Sequence, residues 1–471
     1  MKTKIFIIAL FSLSLFITSC SNDDDNNNNS TTTPNIVELA LATPDLSSLV
    51  AALNRADGNL TTVLSGSGPF TVLAPTNDAF ANFLTANGFA SLDAVPTDVL
   101  AQVLLNHVIM ADVSSSDLIS MGSGYTSGSA SGPDNLNISI YFDATNGVTF
   151  NNTAMVTTAD VNASNGTVHI IDTVLELPSI VDHAVANPSF SNLVAALGAA
   201  DGDLVNVLST DGPFTVLAPD NNAFSTFLNG TALGDVDTAV LSQLLLNHVI
   251  IGSTVTSSAL VDAGTGYTNT GATGPGDNAL SLYYNTSNGV VFNGVSTVTQ
   301  ADVVGTNGII HAVDTVIDIP TVVTFATADP TFSTLVEALT TLTPATDFAS
   351  ILSRTEIGNT DMINPDFTVF APTNDAFASL AAIPAEGPLT QVLLHHVIQE
   401  ANITSSMLNN PGDTTAGTLE GDNITITLPG TGNNIANITD GSGATDIGII
   451  AVDVQAGNGV IHVINKVMIN N

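Results

Sequence analysis

Pro69-Phe-Thr-Val-Leu-Ala-Pro-Thr-Asn-Asp-Ala-Phe80 decides the fold, because this stretch occurs three times in the chain. It returns as Pro213 to Phe224 and again as Asp366 to Phe377, at spacings of 144 and 153 residues. Those periods are the size of a domain, not of a solenoid repeat. Phe70-Thr-Val-Leu-Ala74 is rich in strand formers and ends at Pro75, which cannot donate to a ladder. Thr76 then reads as a helix N-cap, with Asn77 and Asp78 at the positive end of the helix dipole. Asp220 takes the N-cap place in the second copy and Thr373 in the third. Ala79, Phe80, Phe83 and Leu84 form the expected buried stripe of this helix.

Further landmarks recur in the same order on either side. Upstream, each copy opens with a helical stretch: Asn35-Ile-Val-Glu-Leu-Ala40, Ser179-Ile-Val-Asp-His-Ala184 and Thr321-Val-Val-Thr-Phe-Ala326. A turn at Pro44, Pro188 or Pro330 leads into an amphipathic helix. Downstream come Leu104-Leu-Asn-His-Val-Ile109, Leu245-Leu-Asn-His-Val-Ile250 and Leu393-Leu-His-His-Val-Ile398. Pro96-Thr97-Asp98 starts the helix leading to the first of these, with Val99, Val103, Leu104 and His107 at helical spacing. Leu136-Asn-Ile-Ser-Ile-Tyr-Phe142 alternates like a strand, and Asn146-Gly147 reads as a hairpin turn. Each copy closes with Asn-Gly and a strand: Asn165 to His169, Asn307 to His311 and Asn458 to His462. A helical first half and a β second half predict an α+β domain.

These landmarks resemble the fasciclin-like domain, over about residues 35–471. The resemblance implies a twisted β-sandwich or wedge carrying a cluster of helices. It also implies extracellular work in adhesion or matrix binding, without catalytic residues. The domains are expected at 35–177, 178–319 and 320–471, with short joints at Leu177-Pro178 and Ile319-Pro320 that predict a semi-rigid rod. The third copy carries a longer Thr343 to Pro365 segment and an enlarged Pro411 to Asp446 segment, both readable as contact loops or as surface insertions.

Composition narrows the partners. The chain has 471 residues, 5 Lys+Arg and 43 Asp+Glu, for a formal charge of −38. Nucleic acid is excluded as a partner, since phosphate binding needs Lys and Arg. Enzymes that clamp anionic substrates with cations are disfavoured for the same reason. Of the acids 36 are Asp, the residue of turns and N-caps. Trp is absent and aromatics total 5 %, so the stacking platforms used for sugars or single-stranded nucleic acids are scarce.

The N-terminus reads as an address. Lys2 and Lys4 precede an apolar run from Ile5 to Ile17, the pattern of a secretory signal over residues 1–19. Cys20, the only cysteine, follows directly and resembles the lipobox cysteine of bacterial lipoproteins. The polar, acidic stretch 20–34 is an expected tether. Its Asp23-Asp24-Asp25 resembles the surface-export signal of Bacteroidetes lipoproteins, which implies lipid-anchored display on the outer membrane, facing outward. Cleavage would remove two lysines and no acid, taking −38 to −40.

Candidate chemistry centres on histidine. Six of the eight histidines fall at two repeat positions: His107, His248 and His396, then His169, His311 and His462. In animal adhesion proteins of the resembled family, a Tyr-His pair at the first position is linked to receptor binding. Asn106, Asn247 and His395 stand in place of that tyrosine. The residues permit two roles, hydrogen bonding inside each domain or contact with a ligand, and the internal role is favoured. Adjacent His395 and His396 diverge by about 100° on a helix and seldom share one metal ion. Gly128-Ser-Ala-Ser-Gly132 puts Ala130 where a hydrolase elbow needs its serine, and no H-E-x-x-H or P-loop is present. Calcium is the inorganic ion that oxygen-rich loops such as Asp440-Gly-Ser-Gly-Ala-Thr-Asp446 would suit, although the spacing is not that of an EF-hand. The function expected is non-enzymatic, multivalent attachment to extracellular polysaccharide, matrix or cell-surface protein. The alternative is an extracellular enzyme or capture accessory acting on a glycan or other polymer.

Overall fold

A computed structural model describes residues 33–471; the expected signal, Cys20 and all but the end of the tether lie outside them. The domain is built three times over. In the first copy the helices are α1 (Ile36–Ala42), α2 (Ser47–Arg55) and α3 (Leu60–Leu64), followed by strand β1 (Phe70–Pro75). Next come α4 (Asn77–Ala86), α5 (Thr97–Asn106), β2 (Val108–Ile109) and α6 (Ser115–Met121). The remainder is strand: β3 (Ser123–Ser131), β4 (Asn137–Asp143), β5 (Thr149–Phe150), β6 (Ala154–Ala163) and β7 (Gly166–Ile171). They form a seven-stranded sheet in the order β2-β1-β7-β6-β5-β4-β3, and the other two copies repeat that order. Only β1 and β7 pair in parallel. Three α+β domains with mixed sheets are therefore present.

The quoted stretch sits at the centre of each domain. β1 is buried throughout because both of its faces are covered. Phe70, Val72 and Ala74 pack under α1, α2, α4 and α5, while Leu73 points to a second core with Ile140, Phe142 and Phe150. Thr76 caps α4 by accepting from the Ala79 N–H, and Asp220 and Thr373 do the same in the later copies. Such a cap contributes about 1 kcal/mol. The Asn-Gly turn has an equally local reason. Asn165 accepts from the Ile36 N–H and donates to the Leu64 and Gly66 carbonyls, tying α1 and α3 to the sheet. Gly166 has φ of +149°, and a Cβ there would lie 1.9 Å from the Phe70 carbonyl oxygen. No other residue fits beside β1.

Two expectations are corrected. Val99 is 41 % exposed and Leu100 takes the buried place in the first turn of α5, while Val103, Leu104 and His107 are buried as expected. In the third copy, the segment after Thr343 contains the helix Phe348–Leu352, the counterpart of α3. Most of the inserted length lies after that helix, before the strand Phe367–Pro372.

The domains also touch. The β3–β4 hairpin of domain 1 packs on the second domain, and its counterpart in domain 2 (Thr265–Thr273 with Ala279–Asn285) packs on the third. β4 is consequently buried from Ile138 to Phe142, on both faces.

Candidate functional site

The first histidine position is an internal staple. α5 ends at Asn106, and His107 is its C-cap. Its Nδ1–H donates to the Val103 carbonyl at 2.7 Å, and Nε2 accepts from the Leu175 N–H at 2.9 Å. This joins the helix end to the chain leaving β7. His248 repeats the arrangement with Leu244 and Ile317, and His396 with Val392 and Met468. Burial pushes all three imidazoles down to about 4, so they are neutral at physiological pH.

The residue before each histidine is buried as well. Asn106 Nδ2 donates to the Glu176 carbonyl at 3.0 Å, and Asn247 Nδ2 to that of Asp318 at 3.0 Å. His395 differs: its Nε2 accepts from the Gly441 N–H at 3.1 Å, and its Nδ1 lies 3.3 Å from both Thr418 Oγ1 and Glu420 Oε2. His395 and His396 thus have separate partners and do not converge.

The second histidine position belongs to a three-residue clip. β6 changes register at Asp160, which has φ of +55°, and there the strand bends from one half of the sheet to the other. The Asp160 carboxylate accepts from the Ser115 N–H and hydroxyl at the start of α6. The Asp160 N–H donates to His169 Nδ1 at 3.2 Å, and His169 Nε2–H donates to the Val113 carbonyl at 2.9 Å. Ser257, Asp302 and His311 repeat the clip, as do Ser405, Asp453 and His462. A serine, an aspartate and a histidine are therefore together in every domain, in an order unsuited to catalysis. The serine bonds the aspartate, and both histidine nitrogens are engaged by backbone, so the imidazole cannot take the serine proton.

Other expected groups are also engaged. In the loop offered for calcium, Asp440 accepts from the Ala444 and Ile469 N–H groups, while Asp446 pairs with Lys466. The two carboxylates turn to different partners. Among the described residues no group of three or more His, Asp or Glu is placed to hold a metal ion. The apolar cavity under the helices of domain 3, beside Phe332 and Phe348, has a volume of about 60 Å³, a packing gap rather than a ligand site.

Sequence reasoning missed the groups at the joints. Between domains 1 and 2, Ser139 Oγ accepts from the Val304 N–H at 3.0 Å, and Asn187 Nδ2 donates to the Tyr125 hydroxyl at 3.2 Å. The Tyr125 ring lies edge-on to His183, 5.7 Å away, and next to Tyr141 at 5.2 Å. Between domains 2 and 3, Ser281 Oγ accepts from the Gln455 N–H at 3.0 Å, and the Tyr267 hydroxyl donates to Asp329 at 3.0 Å. Tyr267 meets Phe325 at 5.7 Å and Tyr283 at 5.1 Å. A signal was available, since four of the five tyrosines occupy these two repeat positions. Asp413 and Thr427 replace them in the third hairpin, where Thr427 donates to Asp413 at 2.7 Å.

Fold and site together define a tandem array of one α+β module, each copy closed by buried histidine bonds and the first two docked on the next by a tyrosine hairpin. The chain belongs to the fasciclin domain family, which matches residues 44–178, 188–320 and 331–470. It is 26 % identical to human periostin over 446 residues, covering 92 % of this chain and 47 % of that protein. It is 37 % identical to Synechocystis protein sll1483 over 143 residues, covering 30 % of this chain and 73 % of that one. A solved domain pair from the insect cell adhesion molecule fasciclin I is 19 % identical, with a TM-score of 0.36, covering 58 % of this chain and 96 % of that one. The chain thus spans about half the length of periostin.

Proposed function

We propose that the chain is a non-enzymatic attachment protein of the cell surface. In this reading residues 1–19 direct export, Cys20 carries the lipid anchor in the outer membrane, and the acidic tether holds the domains away from it. The three domains bind extracellular polysaccharide, matrix or cell-surface protein. The observation that carries this is the pair of similar joints, which hold three copies of one surface in a set relation to each other. Weak sites linked in this way gain by effective concentration, by about 10²–10⁴ where the geometry allows simultaneous contact. The polar, anionic surface suits neutral or cationic partners.

The test compares the three-domain chain with its single domains on immobilised polysaccharides and matrix proteins, with and without calcium. The three-domain chain is expected to bind at least about tenfold more tightly. Equal binding would overturn the multivalent reading, and attachment unchanged by gene deletion would overturn the adhesion role. Protease shaving of intact cells should remove the protein if it faces outward.

A further inference from the structure

The two joints use the same hairpin, but they do not close equally. At joint 2–3, the turn after the counterpart of β5 carries Gly294, and a Cβ there would lie 3.2 Å from Cα of Ala328 and 3.3 Å from its Cβ. The turn of domain 2 therefore rests on the first helix of domain 3. At joint 1–2 the same place is held by Asn152, and Ala186 stands where Ala328 does. Here Asn152 and Ala186 line an open cleft instead. This cleft, of about 370 Å³, is within the size range of ligand sites and at a domain boundary where such sites concentrate.

The walls specify the chemistry. Asn152 and Thr153 supply an amide and a hydroxyl from domain 1, and Asp182 supplies a carboxylate from domain 2, with Glu176 from the chain between them. Asp182 uses Oδ2 to accept from the Ser179 N–H and hydroxyl, and Glu176 uses Oε1 to accept from Asn87. Each carboxylate retains a second oxygen for a donor. The apolar wall is aliphatic, including Val185 and Ala186, and no aromatic ring or cation lines the cleft. Two carboxylates without a cation repel an anion. Two carboxylates already bonded elsewhere fall short of the six to eight oxygens of a calcium site. An uncharged ligand with many hydroxyls and a C–H face fits these walls: the hydroxyls donate to carboxylate and accept from amide, and the C–H face lies on Val185, with a cationic peptide as the competing occupant that the test separates.

We propose that the cleft between domains 1 and 2 binds a neutral sugar unit of an extracellular polysaccharide, with Asn152, Thr153, Glu176 and Asp182 as its polar contacts. This rests on the attachment reading above and assigns it a site. Asn151 Oδ1 accepts from the Tyr141 N–H at 2.9 Å, so the turn that lines the cleft is bonded to the docking hairpin itself.

The test uses the whole chain with labelled valine and alanine methyls. The probes are neutral gluco-, galacto- and manno-oligosaccharides at millimolar concentration, with an oligogalacturonate and a lysine-rich peptide beside them. At least one neutral oligosaccharide is expected to shift the Val185 and Ala186 methyls. Val185→Glu is expected to weaken that response at least about tenfold. Val185 is 61 % exposed, so the variant should fold. Asn152→Gly, which copies joint 2–3, provides a second variant and should also weaken binding. Three results would each overturn the site: no methyl shift with any neutral sugar, a shift unaltered by both variants, or a response to the charged probes alone. Attachment of the V185E chain to whole polysaccharide is measured separately. Full attachment there would remove this site and leave the attachment function standing.

Discussion

The two joints are the most informative comparison in the molecule, because one docking scheme is executed with different residues. At joint 2–3, Tyr267 packs on Phe325 and bonds Asp329, Tyr283 belongs to the hydrophobic core of domain 3, and Asn402 adds a bond to the Pro275 carbonyl. At joint 1–2, Tyr125 packs on His183 and bonds Asn187, and the turn stands away from the helix. Both joints reach the core of the following domain, joint 1–2 through Tyr125 and joint 2–3 through Tyr267 and the fully buried Tyr283, but joint 1–2 places an ionisable ring where its counterpart is apolar. The difference implies one firm coupling and one that responds to conditions.

The largest expected effect tests the firm coupling. Tyr283 is 1 % exposed and packs in the core cluster of the domain that follows its own. Tyr283→Ala should cost about 3–5 kcal/mol, the usual loss for truncating a buried aromatic. Chemical denaturation should show domain 3 destabilised along with domain 2. Tyr141→Ala, at the same place in domain 1, should cost less. Equal losses would break the distinction between the joints.

Acid should loosen joint 1–2 selectively. His183 Nε2–H donates to the Val304 carbonyl at 3.0 Å, while Nδ1 has no partner among the described residues. Burial pushes the imidazole down to about 4, against smaller opposing effects of the Val304 bond and of Asp182. A depressed histidine stabilises the fold above its unfolded value near 6.5, and that stability is lost as pH falls toward 4. The loss over this window is about 3 kcal/mol, at roughly 1.4 kcal/mol per pH unit. His183→Phe, which copies Phe325, should remove that share of the acid sensitivity from domain 2. His107, His248 and His396 would continue to titrate. Urea unfolding at pH 7 and near pH 4.5 measures the difference. Equal pH slopes in the two proteins would show that His183 does not set the response.

The fold was legible because its landmarks are local devices repeated in order: a strand ended by proline, a capped helix, and an Asn-Gly turn at which only glycine fits. The joints were not, for two physical reasons. Alternation in Leu136 to Phe142 reports which residues face the domain's own core, but not what covers Ser139 and Tyr141 on the other side. His183 has no histidine counterpart in the other copies, so a search for recurring chemistry passes over it. The recurring histidines were visible as positions, whereas the backbone groups they bond lie 56 to 72 residues away in the chain, nine residues back across a strand pair or one helical turn back, beyond any motif.

The smallest effect concerns the asparagine before the staple histidine. Asn247 Oδ1 accepts from Thr270 Oγ1 at 3.2 Å, whereas buried Asn106 Oδ1 has no partner among the described residues. Gly128 stands in domain 1 where Thr270 stands in domain 2. Thr270→Val keeps the shape and removes the donor, so it should cost domain 2 about 1–2 kcal/mol by leaving a buried acceptor unmet. The reverse change, Gly128→Thr, supplies the missing donor to Asn106. Its gain should be smaller, because a Cβ at Gly128 meets the Asn106 carbonyl oxygen and Oδ1 at 3.1 Å, and the neighbour must yield slightly. A gain below about 1 kcal/mol in domain 1 is expected from thermal unfolding. A loss would mean that the close approach of β3 to α5, rather than the missing hydrogen bond, is what glycine provides.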